Sequence, residues 1–238
     1  MKKIRLDKYL SEMSVGTRSK VKQMIRKGQV SVNGAVSKKP EQKVDAGEDH
    51  IMVNGTEVSF VSEEYIMLHK PAGVVSATKD NHDQTVLDLI KEKKRNDLFP
   101  VGRLDKDTEG LLLLTNDGAL AHQMLSPKKH VDKTYYATIQ GRVTEEDVEA
   151  FFNGLDIGEE KLTMPAKLVI EKADTISEIR VTIQEGKFHQ VKRMFEAVGK
   201  KVLYLKRLTF GPLALDETLK PGEYRYLTEE EIRDLKGE

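Results

Sequence analysis

Leu6, Tyr9, Leu10 and Met13 fall at i, i+3, i+4 and i+7, the spacing that lines up four apolar side chains on one face of a helix. A second helix is expected after Gly16. Thr17 offers a hydroxyl as N-cap, Val21, Met24 and Ile25 make its apolar face, and Gly28 supplies a stop. The pattern then shortens to hairpins. Asn33-Gly34 and Asn54-Gly55 each sit between apolar or β-branched residues, the usual mark of a two-residue turn that needs positive φ at both positions. Residues 1–60 therefore read as a small helix-helix-hairpin module, followed by a short linker at 61–63.

From residue 64 to 238 the periods mix. Strands are expected at Tyr65–Leu68, Thr134–Gln140, Lys167–Glu171, Ile176–Gln184 and Lys201–Leu205, all rich in β-branched and aromatic residues. Thr144 with Asp147 resembles a capping box, opening a helix that carries Val148, Phe151 and Phe152 and stops at Gly154. Val191, Met194, Phe195 and Val198 mark another helix, and Thr228 with Glu231 caps a last one. Strands follow one another without regular βαβ alternation. The expected fold class is thus α+β, with a mixed, mainly antiparallel sheet flanked by helices.

Charge changes this picture more than composition does. The 238 residues balance 39 Lys+Arg against 39 Asp+Glu, yet residues 1–60 hold 12 basic against 7 acidic groups. Within residues 1–43 the acids are only Asp7, Glu12 and Glu41. A basic end on a neutral chain suits a polyanion such as nucleic acid, or else is a solvated face. Arg18, Lys22 and Arg26 share a helix face at i, i+4 and i+8, from which long cationic side chains reach successive phosphates. The absence of cysteine excludes disulfides, thiolate zinc sites and cysteine nucleophiles. No apolar run approaches the roughly 20 residues of a membrane span, and the N-terminus lacks an apolar signal region, so a cytoplasmic protein is expected.

The densest chemistry lies between Gly102 and Gly118, in Gly-Arg-Leu-Asp-Lys-Asp-Thr-Glu-Gly-Leu-Leu-Leu-Leu-Thr-Asn-Asp-Gly. Asp105 sits in a polar turn directly before a buried apolar run, which mounts a carboxylate on the lip of a strand. Asp105, Asp107 and Glu109 alternate, a spacing that in isolation suits Mg²⁺ or Mn²⁺. Arg103 and Lys106 compete with a metal there, and three acids between two glycines also describe a solvated turn. No metal is expected. Asp107 and Glu109 are taken as turn residues.

Two resemblances extend the reading. Arg-Leu-Asp-Lys-Tyr-Leu at 5–10, the Thr17-Arg18-Ser19 helix start and Gly28 to Gly34 resemble an S4 RNA-binding domain. His69-Lys70-Pro71-Ala72-Gly73-Val74, Gly102-Arg103-Leu104-Asp105 with its continuation, Lys133-Thr134-Tyr135, and Glu185 to Phe195 occur in order, and each looks like a motif of the RsuA branch of RNA pseudouridine synthases. That resemblance implies an enzyme without cofactor that detaches uracil from ribose, rotates it and rejoins it through C5. It implies Asp105 as nucleophile, Tyr135 as the aromatic residue stacking on the base, and Lys192 as the cation paired with Asp105, with Lys187 as its rival. Tyr136, on the opposite face of the strand, is expected to be core.

Arg103 is expected to contact RNA, and Lys187, His189 and Gln190 to help position it, although helix-start packing explains His189 and Gln190 as well. Pro71 and Gly73 are assigned to loop shape, with Lys70 given no firm role. The expected partner is ribosomal RNA, naked or in a small-subunit assembly intermediate, and the expected state a monomer. By analogy the target is 16S RNA at the conventional uridine 516, with 23S RNA or an inactive assembly factor as alternatives.

Overall fold

A computed structural model describes residues 3–238. Met1 and Lys2, part of the basic stretch counted above, lie outside the described residues. The chain divides into two compact units, residues 1–64 with 90–98, and residues 65–89 with 99–238. The return of Ile90–Leu98 to the first unit was not legible in the hydrophobic pattern.

In the first unit, β1 (Lys3–Arg5) leads into α1 (Leu6–Glu12) and α2 (Arg18–Arg26). Thr17 caps α2 by accepting from the Lys20 amide, and Gly28 follows the helix with φ +74°. Next come β2 (Val30–Val32), β3 (Ala35–Ser37), β4 (Lys43–Asp45), β5 (Ile51–Val53) and β6 (Thr56–Glu57). β3, β2, β5 and β6 form an antiparallel sheet, and β1 pairs with β4. Both Asn-Gly pairs are hairpin tips with positive φ at each residue. Leu6, Tyr9, Leu10 and Met13 are buried with Val21, Ile25, Val30 and Ile51 in one core. Residues 90–98 are fastened by Arg95: its guanidinium meets Glu12 at 3.3 Å and Asp97 at 2.5 Å, and donates to the Val61 carbonyl at 2.8 Å.

The second unit contains β7 (Tyr65–Lys70), β8 (Phe99–Val101), β9 (Glu109–Thr115), α3 (Gly118–Leu125), β10 (Lys133–Gln140) and α4 (Glu145–Asn153). It continues through β11 (Lys167–Lys172), β12 (Ile176–Ile183), α5 (Gln190–Ala197), β13 (Lys201–Phe210), β14 (Leu213–Ala214), β15 (Tyr224–Tyr226) and α6 (Glu229–Lys236). Both predicted capping boxes are present, at Thr144/Asp147 and Thr228/Glu231. The sheet runs β11-β12-β10-β13-β9-β7-β15, with β14 on β13 and β8 on β9. Its pairings are antiparallel except β13–β9, where Lys206 pairs with Glu109 and Arg207 with Gly110. This is the α+β architecture with a mixed, mainly antiparallel sheet expected from the sequence.

The parallel pair joins two antiparallel blocks, and it explains Gly110. With φ +106° and its α-carbon against the Arg207 backbone, any Cβ at this position would collide with that backbone. The loop carrying Asp105 enters the sheet at this seam. On one side Met67, Leu111, Leu113, Leu120, Phe210 and Leu227 make a core. On the other, Phe151 of α4 and Phe195 of α5 pack with ring centroids 4.8 Å apart.

Candidate active site

The loop from Gly102 to Thr108 is held almost entirely through its backbone. Ser76 donates to the Leu104 carbonyl at 2.8 Å and accepts from the Leu104 amide at 3.0 Å. The Gly73 amide donates to the Lys106 carbonyl at 2.7 Å. Beneath lies Lys70, fully buried at the end of β7, whose ammonium donates to the carbonyls of Pro71, Asp105, Lys106 and Thr108 at 2.8–3.3 Å. Burial pulls the Lys70 pKa down to about 8, against the opposing pull of Asp107 and Asp105. A lysine ending an unbroken run of buried residues has no water to reach, so it must find acceptors in the protein. That was the signal by which sequence reasoning could have given Lys70 a role.

With its main chain so fixed, the loop leaves the Asp105 side chain free to face a cavity. Asp105 Oδ2 lies 3.0 Å from Lys192 Nζ, and its Oδ1 lies 3.6 Å from His189 Nε2. Lys192 projects from the first turn of α5 and also meets Asp107 at 2.6 Å. Burial works against the Lys192 charge, but the hydrogen bonds it donates to Asp107 and Asp105 outweigh that and raise its pKa. The same contact lowers the pKa of Asp107. Lys187 is directed elsewhere: it sits 3.6 Å from Glu185 and donates to the carbonyls of Lys161 and Leu162. Arg103 is exposed and makes no ion pair among the described residues, so it does not neutralise Asp105.

Tyr135 stands on the inward face of β10 and lines the same cavity as Asp105, His189, Gln190 and Lys192. It is 7 % exposed. Tyr136, expected in the core, is instead on the more open face, where its hydroxyl donates to Glu178 at 2.7 Å and its pKa is pushed up to about 12 by that bond. Alternation along the strand placed the two tyrosines on opposite faces, but could not say which face was covered. Asp107 and Glu109 also do more than occupy a turn. Asp107 shares Lys192, while Glu109 opens β9 and accepts from the Tyr204 hydroxyl at 2.7 Å.

For Gln190 the packing alternative is the one the geometry supports. It is buried, and its amide accepts from the Lys187 backbone and donates to Glu185, which in turn accepts from the Met164 amide. It builds the loop before α5 rather than offering its amide to RNA. On the first unit, Arg18 and Lys22 lie 3.4 and 3.9 Å from the fully buried Asp7, which also holds Arg5 at 2.9 Å. Arg26 is exposed further along the same helix.

Next to the Asp105 cavity is a larger one of about 680 Å³, lined on one side by Arg103, Asp105 and Lys106 and on the other by Lys187, Phe188 and His189. Its wall includes two further cations, Lys133, quoted above in a motif but given no role of its own, and Arg207, which lies outside the motifs. Arg207 is almost wholly buried, donates to the Leu111 carbonyl at 2.8 Å, and has one terminal nitrogen without a partner among the described residues. Burial, then the nearby Arg207 charge, lowers the Lys133 pKa. Among the described residues no group of three or more acidic or histidine side chains is placed to hold a metal, and no helix is long and apolar enough to cross a membrane.

Comparison with known proteins agrees on both units. Residues 64–197 match the family model described as RNA pseudouridylate synthase, and residues 4–51 match the S4 domain. The chain is 48 % identical over 234 residues to a Bacillus subtilis protein named an uncharacterized RNA pseudouridine synthase, YtzG, covering 98 % of each. It is 42 % identical over 233 residues to the ribosomal small subunit pseudouridine synthase A of Vibrio cholerae, covering 98 % of this chain and 99 % of the relative. A solved structure described as a pseudouridylate synthase is 39 % identical, with a TM-score of 0.69 over 98 % of this chain and 99 % of that one.

Proposed function

The chain belongs to the RNA pseudouridylate synthase family, with an S4 domain at its N-terminus, and from that premise we propose that Asp105, Tyr135 and Lys192 carry out the isomerisation of a uridine in 16S ribosomal RNA. The observation that carries this assignment is the Asp105–Lys192 pair, 3.0 Å apart at a cavity that Tyr135 also lines. A carboxylate ionised at neutral pH can attack and later leave, and a lysine beside it keeps it ionised when RNA displaces water.

Asp105 forms a covalent bond to sugar or base as the N1–C1′ glycosidic bond breaks. Tyr135 offers its ring to the detached uracil while it turns, and its hydroxyl is the group we assign to take the proton that C5 gives up. The C5–C1′ bond forms, the bond to Asp105 breaks and returns the free carboxylate, the proton lost from C5 is balanced by one gained at N1, and the nucleotide leaves with its atoms unchanged in number. The target uridine must first leave its stack, because the glycosidic bond is out of reach inside folded RNA. Arg18, Lys22 and Arg26 of the S4 domain, and Arg103 and Lys187 near the cavity, supply cations toward the RNA phosphates, and His189 adds a ring at the same rim.

The choice of 16S RNA rests on full-length similarity to relatives named for the small subunit, and the position, the conventional uridine 516, is carried over by analogy with the RsuA branch. The working form is a monomer in the cytoplasm, acting on ribosomal RNA free or in an assembling small subunit. Tritium release from C5-labelled uridine in 16S and 23S transcripts tests the reading. Release from 16S alone is expected. Release from 23S alone overturns the target, and release from neither overturns the activity.

A further inference from the structure

Phe188 is 74 % exposed at the rim of the cavity that holds Asp105. Its ring is not loose. It lies on the His189 imidazole with centroids 3.7 Å apart and planes inclined by 19°. His189 has left-handed backbone angles, φ +49° and ψ +33°, a conformation uncommon outside glycine and asparagine. The loop is pinned from both sides, by the Gln190 amide on the Lys187 backbone and by Arg193, which donates to the Phe188 carbonyl at 3.1 Å.

We propose that the Phe188–His189 pair is a stacking platform for the nucleobase next to the target uridine in the RNA strand. This rests on the enzymatic reading above and adds a binding residue to it. A phenyl ring left in water keeps apolar surface hydrated that burial would cover, so a ring held there in a fixed plane calls for an occupant. One face of the phenyl is covered by His189 and the other is open. A planar, aromatic occupant fits that face. The His189 edge is 3.6 Å from Asp105, which puts the platform beside the place where the flipped uridine reacts.

Flipping the target uncovers the face of its neighbour in the strand, and a protein ring at this rim replaces the stacking that was lost. The surrounding charge suits a strand of RNA rather than an apolar peptide. Arg103, Lys106 and Lys187 line the same cavity, and Arg103 has no acidic partner among the described residues.

Steady-state kinetics on a 16S transcript carrying C5-tritiated uridine, with wild type, Phe188→Ala, Phe188→Leu and Phe188→Trp, tests the platform. Because Phe188 is exposed, these substitutions leave the core untouched. Phe188→Ala and Phe188→Leu are expected to raise KM about ten-fold with kcat within about two-fold, and Phe188→Trp to remain within about two-fold of wild type in both. Removing the base on one side of the mapped product position should raise the wild-type KM by a similar factor and leave that of Phe188→Ala unchanged. A Phe188→Leu enzyme equal to wild type, a loss confined to kcat, or abasic and Phe188→Ala losses that add in full would each overturn the platform while the enzymatic reading stands. A wild type that releases no tritium from 16S or 23S RNA overturns both.

Discussion

Asp7 in the S4 unit and Asp105 in the synthase unit are both carboxylates gathered by cations, yet they stand in opposite relations to water. The Asp7 side chain is fully buried, while its partners Arg5, Arg18 and Lys22 are 40–53 % exposed. Asp105 is 28 % exposed, and its principal partner Lys192 is the more covered, at 20 %. Arg5 alone takes both oxygens of Asp7, at 3.0 and 2.9 Å. Such a carboxylate can order cations but cannot reach a substrate. Asp105 keeps an open side toward a cavity, and its loop is fixed through backbone contacts that leave the carboxylate unspent. The same pairing thus organises a surface in one unit and prepares a reactive group in the other.

The comparison breaks most decisively at Asp105. Asp105→Asn should lower kcat/KM at least about a thousand-fold while RNA affinity stays within about three-fold, because the amide keeps the shape but cannot act as nucleophile. Comparable tritium release by that variant would remove Asp105 from the chemistry. Lys192→Met should cost about a hundred-fold in kcat, and Lys187→Met less than about five-fold, since of the two lysines it is Lys192 that meets Asp105. The reverse ranking would hand the role to Lys187.

Lys70→Met should lower kcat about ten-fold by loosening the Asp105 loop, and it has a pH signature. The folded-state pKa of Lys70, about 8, is below that of a free lysine, so between about pH 8 and 10 the unfolded chain binds the extra proton. Stability of the wild type should therefore rise relative to Lys70→Met as pH climbs through that window. Urea unfolding at pH 7, 8, 9 and 10 measures it, and a constant gap would contradict the assignment.

Asp7→Asn should leave kcat at saturating RNA unchanged. It should cost about 1–3 kcal/mol in stability, through lost charge-assisted hydrogen bonds in the S4 unit. Burial opposes the Asp7 charge, but hydrogen bonds from Arg5 and Arg18 hold its folded pKa below that of a free carboxyl. This loss should therefore shrink as pH falls below about 4, because the unfolded chain then takes up a proton that folded Asp7 still resists. A larger effect on kcat than on unfolding would show that the two carboxylates are not divided as described. The smallest change is expected from Asp107→Asn, about two- to three-fold in kcat. Asp107 is 73 % exposed, and Lys192 retains Asp105 without it.

Local signals in the sequence were strong wherever the physics is local. Thr17, the two Asn-Gly turns and both capping boxes act through bonds spanning two to four residues, so their positions could be read directly. Four motifs in order also pointed to the family before any contact was known. Residues that act across the fold were harder to read. For Gln190 the sequence leaves RNA contact and helix-start packing open, because its amide partners, Lys187 and Glu185, become partners only when the loop closes on α5. Tyr136 was placed in the core because a period of two separates faces without identifying the buried one.

What the sequence determined by itself was many of the elements though not α3, β8, β14 or β15, the α+β class, the S4 and synthase motifs, and the carboxylate, tyrosine and lysine expected to meet. Tertiary structure decided how they meet. Asp105 and Lys192 are 87 positions apart, and no local rule sets their separation of 3.0 Å. It follows from the parallel seam between β9 and β13, from α5, and from a buried Lys70 that holds the Asp105 loop by its carbonyls. Residue types and spacings determine which groups can react. Burial and long-range hydrogen bonding determine which of them remain unspent.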